Sequence, residues 1–182
     1  MKTNLKLLCY VGINILIVFS TLTIAYSAND IYEKKAQLIC NDSKINVVTI
    51  CSDDTYSFPF CTEQTFTFIN QITMDRTTIP ASGKPYDEID IHGNKIGRWL
   101  DGLATSWQCV KDKSQSYILI GYNNGGNCDE CEWVELMDLN GKNIATTKGK
   151  KNKKTFDKKM KSIGIISTST DADIPIRKNE KL

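Results

Sequence analysis

Six cysteines follow an apolar leader in this chain, and that pairing constrains its fold more than any other feature. An even cysteine count behind an export signal places the working protein outside the reducing cytosol. There, disulfides can brace a fold whose core is small. The leader opens with Lys2 and Lys6 as its only charges and continues uncharged from Leu7 to Ala28. Small residues at Ala25 and Ser27 match a signal-peptidase site, with cleavage after Ser27 or Ala28. An uncleaved anchor is the competing reading, because 22 uncharged residues can cross a bilayer core of about 30 Å at about 1.5 Å per residue. Asn14 and several Ser and Thr residues make the run less apolar than most spanning helices, and no second such run follows. The expected organisation is a leader at 1–28, a β-rich domain at 29–164 and a polar, loosely ordered tail at 165–182. The expected compartment is a periplasm or the extracellular space.

The strand pattern points to an antiparallel β-sandwich or small open barrel with one or two short helices. Residues 45–51 are rich in β-branched side chains, and 65–69 put Phe66 and Phe68 on one face. Further strands are expected at 88–91, 95–100, 105–110, 117–122, 132–139 and 143–146, broken by Gly, Asn, Asp and Pro. Residues 29–38 read as a short helix capped by Asn29 or Asp30, with Glu33 following. A second helix is expected at 157–164, with Phe156, Met160 and Ile163 at helical spacing and Gly164 ending it. Two stretches echo each other, Asp90-Ile-His-Gly-Asn94 and Asp138-Leu-Asn-Gly-Lys142. Both suit tight hairpins in which Gly takes positive φ and His92 or Asn140 tolerates it.

Six cysteines allow 15 connectivities. Closing Cys128 on Cys131 leaves Cys40, Cys51, Cys61 and Cys109. The simplest expectation joins Cys40 to Cys51 within one hairpin and Cys61 to Cys109 between distant strands. Cys128-Asp129-Glu130-Cys131 also has a redox reading and a metal reading. Its acidic neighbours raise a thiol pKa, and no second short cysteine pair supplies a zinc site. A structural disulfide is the preferred assignment.

Charge is unevenly distributed. Residues 36–147 carry 8 basic and 15 acidic side chains, whereas 148–161 carry 8 lysines and a single Asp. A solvated face is the expected role of the lysine run, since like charges usually cluster on surface and only Phe156 lies nearby to stack on a base. Nucleic acid is therefore not an expected partner, nor is a membrane beyond the leader.

Nothing in the sequence spells a phosphate loop, a nucleophile elbow or a zinc helix. No cofactor or metal is expected. His92 is the only histidine. The leading expectation is a non-enzymatic exported binding protein, an inhibitor or toxin-neutralising partner that meets a basic protein surface. Its candidate contacts are the acidic stretch Asp87, Glu88 and Asp90, the Arg98-Trp99 pair, and Asp129 and Glu130 in the loop 123–132. A small carboxylate hydrolase using Glu88, Asp90 and His92, and a thiol protein using Cys128 and Cys131, are the alternatives.

Overall fold

A computed structural model describes residues 31–52, 59–164, 166–167 and 172–177. The expected leader, the expected cleavage site and the start of the expected first helix lie outside these residues. The chain builds β1 (Ile31–Cys40), β2 (Ser43–Ser52), β3 (Phe60–Asn70), β4 (Arg76–Pro80), β5 (Pro85–Ile89) and β6 (Lys95–Leu100). It continues with β7 (Leu103–Lys111), β8 (Ser116–Asn123), β9 (Glu132–Asp138), β10 (Asn143–Thr146), α1 (Asn152–Ile163), β11 (Ile166–Ser167) and β12 (Ala172–Asp173).

Two sheets face each other. One runs β1-β2-β3-β4 and the other β10-β9-β8-β7-β11, with β12 also on β7; β5 and β6 form a separate two-stranded sheet. All strand pairings are antiparallel. Alternation explains why the sheets close. The alternating buried positions of β2 include Ile45, Val47, Thr49 and Cys51, and those of β3 include Gln64, Phe66 and Phe68. Of these, Ile45, Val47, Phe66 and Phe68 meet Trp107, Ile118, Ile120, Tyr122, Trp133 and Met137 from the second sheet in one continuous apolar core. Such burial, about 25 cal/mol per Å² of apolar surface, is the main term holding a sandwich together. The opposite face of the second sheet buries Val110, Tyr117 and Leu136 under Phe156 of α1. The molecule is thus layered as sheet, sheet, helix.

The expected helix near residue 30 is instead β1. Its inward positions Tyr32, Lys34, Ala36, Leu38 and Cys40 recur at period two, and it pairs with β2 along its whole length. The helix-favouring Glu, Lys, Ala and Gln lose to that ladder because local propensity is small beside tertiary pairing. The disulfide expectation is also corrected. The bonds are Cys40–Cys109, Cys51–Cys61 and Cys128–Cys131. The β1–β2 register sets Cys40 opposite Ser43 and Cys51 opposite Tyr32, so these two cannot meet. Cys51 instead lies directly across from Cys61 in the β2–β3 ladder.

The described part of the expected loose tail is docked. Ile174, Pro175 and Ile176 are buried, Ile174 N–H donates to the Thr105 carbonyl at 2.8 Å, and Tyr32 Oη donates to the Ile176 carbonyl at 2.9 Å. Helix α1 begins five residues earlier than its apolar spacing suggested, and Gly164 ends it at φ 56°.

The two echoed turns share one bonding scheme. The Asp90 N–H donates to the Asn94 carbonyl and the Gly93 N–H to the Asp90 carbonyl; Asp138 repeats this with Lys142 and Gly141. Each Asp side chain accepts two further backbone N–H groups, from His92 and Asn94 or from Asn140 and Lys142. Positive φ falls on Gly93 at 84° and Gly141 at 83°, and neither His92 nor Asn140 shares it. His92 enters the turn through its N–H, not through an unusual backbone. In the β7–β8 turn the Asp112 carboxyl is held at about 2, chiefly by the Ser114 N–H and next by that of Gln115.

Candidate functional site

Five of the seven candidate contact residues share the β5–β6 hairpin. Tyr86 is paired with Trp99, Asp87 with Arg98 and Glu88 with Gly97. The indole Nε1–H of Trp99 donates to Glu88 Oε2 at 2.8 Å. The ring lies over Gly97, where a Cβ would fall 2.3 Å from it, and meets Phe60 of β3 at 5.0 Å between centroids. Glycine at 97 is therefore a packing requirement. Lys95 pairs with Asp87 at 2.7 Å. Trp99 thus packs the hairpin against the first sheet while Glu88 holds its indole, and the most exposed side chains of the hairpin are their neighbours near the turn.

Those neighbours are apolar and exposed. Ile91 at the tip is 96% exposed, and Ile89 and Ile96 beside it are mostly exposed. Lone surface apolar residues are ordinary, but three exposed isoleucines within eight residues around one turn are not. The sequence carried this signal. Ile89, Ile91 and Ile96 flank a turn in a segment with no second apolar face to receive them.

The same geometry does not assemble an acid–base pair. β5 ends at Ile89, and Asp90 and His92 belong to the turn that follows, so the three side chains do not line one face of an extended strand. Asp90 is held below the usual carboxylate range, first by the side-chain amide of Asn94 and then by its backbone N–H. A general acid needs the opposite shift. Among the described residues, no group of three or more His, Cys, Asp or Glu is placed to hold a metal ion.

Asp129 and Glu130 lie elsewhere, exposed in the turn between β8 and β9 that Cys128–Cys131 closes. Cys131 N–H donates to the Cys128 carbonyl at 3.0 Å and Asn124 N–H to the Cys131 carbonyl at 3.0 Å. The pair sits in a strand connection, not at a helix N-terminus, and acids flank it, so nothing here favours a thiolate. We expect thiol titration of the folded protein in mild reductant to find this pair still closed. Free thiols appearing there would mark a redox-active pair.

A polar cleft of about 500 Å³ opens beside that turn, lined among others by Ser106, Gly121, Asp129, Glu132, Thr147 and Lys153. Its floor exists because Gly121 lacks a side chain; a Cβ there would meet Ser106 Oγ at 2.4 Å. An isolated Gly inside a strand is the sequence sign of such an approach. On the inner face of the second sheet, Glu135 is buried and bonded to Ser82 Oγ. Burial, followed by the charge of Glu135, pushes the Tyr122 hydroxyl far above its usual range. Tyr122 stacks flat on Trp133 at 5.1 Å, and Lys148 Nζ lies 4.0 Å above the Trp133 ring. That lysine is consumed by the fold.

No family model, no curated protein and no solved structure matches this chain. The fold itself defines a class, a disulfide-braced antiparallel β-sandwich. Three disulfides are characteristic of an oxidising, exported compartment. Among the described residues, no helix is long and apolar enough to cross a membrane.

Proposed function

We propose that this chain is a non-enzymatic exported binding protein, working in the periplasm or outside the cell, that blocks another macromolecule as an inhibitor or toxin-neutralising partner. The observation that carries this reading is the β5–β6 hairpin. It is fastened at its base by Trp99, Glu88 and Phe60 and presents Ile89, Ile91 and Ile96 to solvent. A rigid apolar tip loses little conformational freedom on docking, which favours affinity. Asp87 and Asp90 at its flanks suit a partner whose apolar cleft is rimmed by Lys or Arg. The net charge of −7 over residues 36–147 favours steering toward such a partner.

The test is capture of a partner from the native envelope or medium with the wild type and with Ile91→Asp. The expected result is a 1:1 complex that associates more slowly as salt rises and weakens at least roughly tenfold in the variant. Equal capture by both proteins overturns the hairpin as the contact. Turnover of the captured molecule overturns the non-enzymatic reading.

A further inference from the structure

We propose that the outward face of α1 is a docking surface for an anionic phospholipid membrane, on which the folded protein adsorbs without inserting. Lys150, Lys151, Lys153, Lys154, Lys158, Lys159 and Lys161 are all exposed. Among the described residues, no ion pair involves these seven lysines, whereas Lys35, Lys95 and Lys148 are each paired. Asp157 is the only acid on the helix.

A helix serving only the fold would not be charged this way. Its first turn holds no acid, its N-cap is Lys151 and no side chain caps it. Lysines at the positive end of the helix dipole are unfavourable, as are like charges at i,i+4 such as Lys154 with Lys158. A helix of 12 residues has little stability alone, so Phe156, Met160 and Ile163 must hold it to the sheet against this repulsion. The result is a basic surface about 18 Å long. It lies on the outer side of the second sheet, away from the first.

The composition of that surface selects its partner. It has no arginine and no exposed aromatic side chain. Base edges are read in forked geometry chiefly by arginine, and unpaired bases are read by stacking. Lysine alone reads charge density, which a sheet of lipid headgroups supplies. The disulfides set the protein apart from the compartments where nucleic acid resides. The acidic body, net −7 over 36–147, is repelled by the same headgroups, so adsorption is one-sided and leaves the hairpin free. The sequence alone had suggested only a solvated face; the helix's missing acids and unpaired lysines point beyond that.

The test is co-sedimentation of the purified chain with phosphatidylcholine vesicles, with and without phosphatidylglycerol. Lys2 and Lys6 are common to the wild type and the helix variant, so the difference between those two proteins on anionic vesicles reports the helix alone. Binding is expected to require the anionic lipid and to fall as salt rises. Lys154→Gln with Lys158→Gln is expected to lower the partition coefficient roughly thirtyfold, with the thermal midpoint unchanged or raised. Equal binding to both vesicle types, or full binding by the double variant, overturns the proposal. So does salt-sensitive binding to a DNA duplex by a protein that ignores anionic vesicles. Neither result bears on capture through Ile91.

Discussion

Replacing Cys40 and Cys109 together by alanine is expected to lower the thermal midpoint by on the order of 10 °C. This bond joins the end of β1 in one sheet to β7 in the other, across 69 residues of sequence. Closing so long a loop removes much of the freedom of the unfolded chain. The loop-entropy relation gives about 4 kcal/mol, a large share of the roughly 5–15 kcal/mol typical of a domain. Cys51–Cys61 spans 10 residues and Cys128–Cys131 spans 3. The same relation assigns them about 3 and about 1.5 kcal/mol. Calorimetry of the three double-alanine proteins checks the ranking. Equal shifts, or the largest shift from Cys128 and Cys131, would show that the inter-sheet bond does not dominate.

Gln64→Leu is expected to destabilise by about 3 kcal/mol although the new side chain is apolar and similar in size. Gln64 is 2% exposed and sits between the sheets. Its Nε2 donates to Thr49 Oγ1 at 3.0 Å and to the Ala104 carbonyl at 3.0 Å. Its Oε1 accepts the Ala104 N–H at 2.7 Å. The carboxamide therefore pairs with Ala104 as a neighbouring strand would, and joins β3 to β7 where no backbone ladder does. Leucine strands a donor and an acceptor of a residue that is 0% exposed. Each stranded group costs about 1–3 kcal/mol. Urea unfolding measures the loss, and amide exchange at Ala104 is expected to accelerate. Unchanged stability with unchanged exchange would show that Ala104 has other partners.

Local chemistry was legible in the sequence, and contacts between distant segments were not. The bounds of β6 and β10 follow from Gly, Asn and Asp placed around short apolar runs, and the Asp90 and Asp138 turns follow from chemistry confined to five residues. Alternation through Phe66 and Phe68 also points Gln64 inward, but only the facing sheet reveals what it bonds. The disulfide map failed for the same reason, because sequence spacing says nothing of which sheet faces Cys40. The Glu88–Trp99 bond needed the strand register, and both residues read as surface contacts until it was known. β1 was misread because its residues favour a helix in isolation. The docking of Ile174 and Ile176 was missed because two isoleucines in a polar stretch make no pattern alone.

That docking bears on the order in which the molecule is completed. Ile176 lies in a cluster with Cys51, Cys61 and Leu103, against Tyr32, while Ala172 and Asp173 pair with β7. A polypeptide threaded outward in sequence order keeps a bare strand edge and a vacant seat beside its first strand until residue 176 emerges. The cluster beside the first strand is therefore closed by residues near the far end of the sequence, and a chain truncated before residue 172 would leave it open to water.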